Sequence, residues 1–186
     1  MGSTILVDSD GVVVDFISSF LEGYKENGGV IPDGWELSEF DSISQLPSKK
    51  ALKAVWNDGE LFARAQPYAG AIEALRWLNK HHEVFIVTAY GRQTHLHVPA
   101  KHFWYKKHAK FLKYDQFVFT NNKLIVKGDI LIEDKGETIM AWALLNKDKK
   151  VYRIVRPWNR NTARMNVFPF AELSEVVRSL KEDKKT

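Results

Sequence analysis

The chain contains no cysteine among its 186 residues. That excludes disulfide staples and thiolate metal sites, and leaves oxygen and imidazole donors for any metal ion. It is compatible with a reducing compartment, and a cytoplasmic location is the expectation. No run approaches the roughly 20 apolar residues of a membrane span, and the N-terminus lacks a charged-then-apolar leader pattern, so no membrane partner is expected. There is no internal repeat and no low-complexity segment. With 45% hydrophobic and 27% charged residues, the chain has the composition of an ordinary globular protein, one domain or one domain with an insert. The formal net charge is only +4, partly from Lys181, Lys184 and Lys185 near the end. So mild a bias fits an anionic small ligand and argues against nucleic acid as the partner.

The most informative stretch is Thr4 to Phe16, TILVDSDGVVVDF. Ile5-Leu6-Val7 is apolar with no polar face, which suits a strand buried on both sides of a parallel sheet. Asp8 and Asp10 follow at once, and burying two carboxylates there is costly unless they are paired, hydrogen-bonded or bound to a cation. In open α/β sheets, ligands bind at this carboxyl end of the strands. A plain turn accounts for Asp8, Asp10 or Gly11 singly, but not for the apolar runs on both sides. A calcium loop fails, because no oxygen ligands continue at alternate positions and no glutamate closes the twelfth place.

Helical spacing predicts a helix from Phe16 to about Asn27, stopped by Gly28-Gly29, and another from Ser48, its cap, to Trp56. A third is expected from Ala69 to Lys80, a fourth opened by Pro99 and running to about Leu112, then Glu137 to Leu145 and Phe170 to Leu180. Strands are expected at His82–Val87, Phe117–Phe119, Asp129–Ile132 and Val151–Val155. This alternation predicts an α/β fold, a Rossmann-like three-layer parallel sheet. The segment 16–66 is too long for a simple crossover, so it is read as a small helical cap inserted after the first strand, with residues 1–15 and 67–186 as the core. Its aromatics Phe16, Trp35, Phe40, Trp56 and Phe62 are mostly cap core, with one or two available to stack on a planar ligand.

If the strands are parallel and adjacent, their ends bring Asp8, Asp10, Thr88, Lys123, Glu133 and Asp134 to one crevice. One carboxylate can attack phosphorus, and a second can protonate the leaving oxygen and later activate water. A further acid can complete an oxygen-only Mg²⁺ site, while a hydroxyl and a lysine hold the phosphoryl oxygens. His95 and His97 are set aside as surface residues, as is the Lys106-Lys107-His108 run. Arg160 is open to either a surface or a substrate-facing role.

In this order the motifs resemble those of the haloacid dehalogenase (HAD) superfamily. VDSDGVVVDF, VWNDGELFARAQPYAGA, FIVTAY, VPAKHFWYKKH and TNNKLIVKGDILIED more closely resemble the 5'(3')-deoxyribonucleotidase family, over roughly Ile5 to Lys135. Pro157-Trp158-Asn159-Arg160 resembles its bacterial and phage members. The resemblance implies Asp8 as nucleophile and Asp10 as general acid/base. It implies Asp8, the Asp10 backbone carbonyl and Asp134 as holders of Mg²⁺. Thr88 and Lys123 match phosphate-holding residues, Lys101 a further lysine near the phosphate, and Phe16 and Phe62 aromatics of the nucleotide pocket. Trp56 matches a cap tryptophan. Ala89 stands at a phosphate-contact position where the mammalian relatives carry serine, Asn121 where they carry arginine, and Glu133 where aspartate is usual. The implied activity is Mg²⁺-dependent hydrolysis of nucleoside monophosphates, chiefly pyrimidine deoxyribonucleotides, through a phosphoaspartate. A related phosphatase for another small ester or a nucleic-acid end is the alternative, and a degenerate binding module is disfavoured because no motif residue is missing. A homodimer is the assembly that relatives suggest.

Overall fold

The computed structural model describes residues 2–38, 40–91, 93–160 and 162–183; Lys184, Lys185 and the side chain of Phe40 lie outside the described set. The strands are β1 (Thr4–Val7), β2 (Val14–Asp15), β3 (Gln66–Pro67), β4 (Glu83–Thr88), β5 (Phe117–Phe119), β6 (Ile130–Glu133), β7 (Lys150–Ile154) and β8 (Val167–Phe170). The helices are α1 (Phe16–Glu26), α2 (Lys49–Trp56), α3 (Leu61–Arg64), α4 (Ala71–His81), α5 (Thr94–His108), α6 (Gly136–Leu145) and α7 (Leu173–Asp183). Six strands form one sheet in the order β5-β4-β1-β6-β7-β8, every pairing parallel.

The apolar run of β1 explains its central place. Ile5 and Val7 face a core shared with α4, α5 and α7, while Leu6 faces a second core with Ile139 and Trp142 of α6. β6 repeats the pattern, with Ile130 and Ile132 on one side and Leu131 on the other. Two-sided burial is what a run without polar alternation requires, and it makes the sheet the middle of three layers. Burying each such side chain contributes about 1.5–3 kcal/mol. A separate cluster joins Phe16, Phe20 and Tyr24 of α1, Leu52 and Val55 of α2, and Leu61 and Phe62 of α3, with Ala100 of α5. The chain leaves toward this cluster and returns beside itself, because β2 pairs with β3 antiparallel, Val14 opposite Pro67.

α3 and the short pair β2 and β3 have no counterpart in the sequence reading, and two further elements differ from it. α5 starts at Thr94, five residues before Pro99, which sits inside it. Proline favours a first turn because its lost N–H is spare there, but the helix is nucleated upstream by Leu96 and His97 N–H bonds to the Gln93 carbonyl. The sequence predicts no strand at β8 and starts the last helix at Phe170, whereas α7 begins at Leu173. β8 is a four-residue edge strand of apolar sequence, VFPF, and Pro169 inside it argues against a strand when the sequence is read alone. No described helix is long and apolar enough to cross a membrane.

Candidate active site

β1 lies between β4 and β6, so Asp8, Thr88 and Glu133 emerge side by side. This is where the chain, having moved outward through β4 and β5, returns to add β6 on the other side of β1, the usual ligand site of such sheets. Asp8 is fixed at both levels: its N–H donates to the Ile132 carbonyl at 2.9 Å, and its Oδ1 accepts from the Ser9 N–H at 2.7 Å. Lys123, in the short turn after β5, places its ammonium 2.7 Å from Asp8 Oδ1 and 2.7 Å from Glu133 Oε2. Lys101, buried on α5, reaches Asp10 Oδ2 at 2.5 Å and donates to Thr88 Oγ1 at 2.8 Å and the Ala89 carbonyl at 3.0 Å. Phe62 covers this ammonium, its ring centre 4.5 Å away, and Phe16 stacks behind Phe62 at 4.9 Å.

The environments of the carboxylates separate their protonation. Burial raises Asp8, but Lys123, 2.7 Å away, overrides it and holds the carboxyl below its usual range. Asp10 is raised by burial, with Lys101 opposing and Asp8 adding to the rise. Burial and the neighbouring Asp8 charge push Glu133 up to about 7 and raise Asp134 well above the ordinary range. Burial lowers Lys123, but Asp8 and Glu133 outweigh it, so the ammonium keeps its proton.

Asp8, Glu133 and Asp134 each offer an oxygen within 4.8 Å of the others, the metal-competent cluster of the described residues. The donors are all hard oxygens, suited to Mg²⁺ rather than a thiolate-seeking ion. Four carboxyl groups (Asp8, Asp10, Glu133, Asp134) face two ammonium groups (Lys101, Lys123), an acid-rich setting that suits a cation. The Oδ1 atoms of Asp10 and Asp134 are buried without a hydrogen-bond partner, a costly state that a cation or proton relieves. The residues therefore fit the ion.

Replacing Lys123 by methionine leaves this acidic cluster uncompensated, and losing one partner of a buried pair costs about 3–5 kcal/mol. The expected result is a fall in Tm that is larger at pH 8 than at pH 5, because Glu133 and Asp134 are neutralised at the lower pH. Equal falls at both pH values would contradict the pairing.

The structure brings together Asp8, Asp10, Thr88, Ala89, Lys101, Lys123 and Asp134, all expected at one site. Asn121 is exposed. Trp56 packs on Phe16 and Phe20. His97 is a correction: it is fully buried, its Nε2 3.0 Å from the Trp56 carbonyl and its ring edge-on to Phe62. Trp104 and Tyr105 are core residues, with Lys106 and Lys107 outside. Arg160 is exposed, while Arg156, which the reading passed over, donates from Nε to the Gly11 carbonyl at 2.8 Å and pairs with Glu172. Trp158 and Asn159, quoted only as a motif, hold Asp134: Trp158 Nε1 donates to its Oδ2 at 3.0 Å and Asn159 Nδ2 to its carbonyl at 2.6 Å. Those side chains come from the loop after β7, distant in sequence, and no local pattern ties them to Asp134. A hollow of about 710 Å³ lies instead between α5 and the β5 edge, and none of its lining residues is acidic.

The sequence is 27% identical over 143 residues to the mitochondrial 5'(3')-deoxyribonucleotidase of Mus musculus, covering 72% of this chain and 64% of that protein. To the cytosolic-type human 5'(3')-deoxyribonucleotidase it is 28% identical over 140 residues, 70% of each. The match thus spans less than two thirds of the mouse protein's length. In three dimensions the chain resembles the HAD-hydrolase YfnB of Bacillus subtilis, solved bound to magnesium, with a TM-score of 0.63, 12% identity and coverage of 96% and 98%. At that identity the likeness concerns the fold, which is HAD-like. Residues 2–177 match the family described as 5' nucleotidase, deoxy (pyrimidine), cytosolic type C protein, and the chain belongs to that family.

Proposed function

We propose that the protein is a Mg²⁺-dependent phosphatase that hydrolyses nucleoside monophosphates, pyrimidine deoxyribonucleotides foremost, through a phosphoaspartate on Asp8. One observation carries the reading. Two neighbouring carboxylates are driven apart in protonation, Asp8 held ionised by Lys123 and Asp10 raised by burial with its Oδ1 unpartnered. That is the division of labour between a nucleophile and a general acid. The family match and the names of the relatives support the nucleotide.

In the first step an Asp8 carboxylate oxygen forms a bond to phosphorus as the bond to the nucleoside oxygen breaks. Asp10 gives its proton to that leaving oxygen. In the second step Asp10, now a carboxylate, takes a proton from water as the water oxygen attacks phosphorus. The phosphorus–Asp8 bond breaks and inorganic phosphate leaves. Lys123 and the Thr88 hydroxyl hold phosphoryl oxygens, and Lys101 keeps Asp10 oriented through Oδ2. Asp8, Asp134 and the Asp10 backbone carbonyl would hold the Mg²⁺, which supplies charge neutralisation between the phosphate and Asp8. Phe62, backed by Phe16, closes the space over Lys101 and excludes water. The helices of residues 16–66 act as the cap over the sheet end, and the site belongs to a cytoplasmic enzyme.

The test is phosphate release from ribo- and deoxyribonucleoside monophosphates, sugar phosphates and phosphorylated oligonucleotides. Preferential release from pyrimidine deoxyribonucleotides supports the reading; release only from sugar phosphates or oligonucleotide ends overturns the nucleotide assignment. A second prediction concerns proton competition. Ligands must be deprotonated to bind a metal. The ligand Asp134 is raised well above the ordinary range and its neighbour Glu133 is pushed up to about 7, so the stability their protons lend the metal-free chain is full below the ordinary carboxyl range and is lost as pH rises through those raised values. Saturating Mg²⁺ should therefore raise Tm more at pH 7.5 than at pH 5.5. An equal rise at both would contradict a metal held by Asp134 beside Glu133.

A further inference from the structure

Asp134 is gripped unevenly. Its Oδ2 accepts the Trp158 indole N–H at 3.0 Å. The same oxygen lies against Gly11, where a Cβ would come within 2.0 Å of it. Its Oδ1 is buried and has no hydrogen-bond partner. One oxygen is thus occupied by a donor and a backbone wall, while the other is free. Trp158 is itself held in place by its turn. Asn159 Nδ2 bonds both the Asp134 and Ile154 carbonyls, at 2.6 and 2.8 Å. The buried Arg153 guanidinium bonds the Asn159 and Arg160 carbonyls at 2.7 and 3.0 Å.

We infer that Trp158 is a positioning residue that makes Asp134 a one-oxygen ligand, presenting Oδ1 to a divalent cation and withholding Oδ2, so that the site prefers Mg²⁺ to Ca²⁺. The inference rests on the metal reading above. Mg²⁺ demands near-octahedral geometry and takes single carboxylate oxygens, whereas Ca²⁺ is larger and readily takes both oxygens of one carboxylate. A donor fixed on Oδ2 removes that two-oxygen mode. It also keeps the carboxylate from rotating, as hydrogen bonds behind a ligand do in other metal sites.

The experiment is calorimetric titration of Mg²⁺ and of Ca²⁺ into the metal-free full chain, its Trp158→Phe and Trp158→His variants, and Asp134→Asn. Trp158→Phe should lower Mg²⁺ affinity about tenfold or more, the size of effect seen when hydrogen bonds behind a ligand are removed, and Ca²⁺ affinity by less, so that the ratio of Mg²⁺ to Ca²⁺ affinity falls. Trp158→His keeps an N–H donor and should recover part of the ratio. An unchanged ratio in a folded Trp158→Phe overturns the inference while leaving the metal reading intact. If wild type and Asp134→Asn bind Mg²⁺ identically, the metal reading fails, and the inference falls with it. Where Trp158→Phe does not fold, the wild-type chain labelled at its indole nitrogens carries the test. Substoichiometric Mn²⁺ should broaden an indole N–H signal of the six tryptophans, and broadening of none overturns the inference.

Discussion

Asp8→Asn should abolish turnover while leaving the fold intact. Asparagine matches the size of aspartate and can still accept the Ser9 N–H bond, and Lys123 keeps Glu133 as its partner at 2.7 Å. The Asp8 charge raises both Glu133 and Asp134, so its removal relieves them, and Tm should hold or rise. On the proposed mechanism, what is lost is the oxygen that bonds to phosphorus, which no other group in the cluster can replace. Glu133 faces Lys123, Asp134 faces Trp158, and Asp10 is needed as the acid. The expected loss in kcat is on the order of 10³-fold or more, as when a covalent nucleophile is removed elsewhere. Phosphate release at saturating substrate measures it. Retention of a tenth of the activity would remove Asp8 from the nucleophile's place.

Gly11→Ala is expected to be nearly as damaging, by a different route. Gly11 has φ +82°, a conformation that costs a residue with a Cβ about 1–2 kcal/mol. The added carbon would also stand 2.0 Å from Asp134 Oδ2 and 2.5 Å from its Cγ. Asp134 cannot simply swing away, because Trp158 and Asn159 hold its side chain and its carbonyl. The carboxylate must shift by roughly an ångström, and misplacements of that size can cost about 10²-fold in rate. Tm should fall by several degrees, and the Mg²⁺ concentration for half-maximal activity should rise. A variant with wild-type Tm and Mg²⁺ dependence would show that the approach of Gly11 to Asp134 is unimportant.

The sequence was most legible where one physical demand dominated. Ile5-Leu6-Val7 has no polar face, so it belongs in the middle of a sheet, and carboxylates directly after it belong at the ligand end. Ser48, the predicted cap, accepts the Ala51 N–H at 3.2 Å. β8 was hard to read because its short apolar run, VFPF, is interrupted by Pro169, which signals against a strand. The α5 start was misplaced because Pro99 signals a first turn, whereas bonds to the Gln93 carbonyl set the start earlier. His97 read as a loop histidine, yet its contacts with Trp56 and Phe62 come from residues some 35 to 41 positions away. At the site, the residues at strand ends were found from position alone. The supports Arg156, Trp158 and Asn159 were not assigned roles, because a grip on Gly11 and Asp134 exists only once β7 lies beside β6.

The most direct test of the central claim is acid-quench trapping of the chain during turnover of a radiolabelled deoxyribonucleoside monophosphate, with Mg²⁺ and with EDTA. The predicted result is label retained covalently on the wild-type protein with Mg²⁺, absent with EDTA and absent in Asp8→Asn. Sustained phosphate release with no label on the chain, or label that persists in Asp8→Asn, would contradict a phosphoaspartate formed on Asp8.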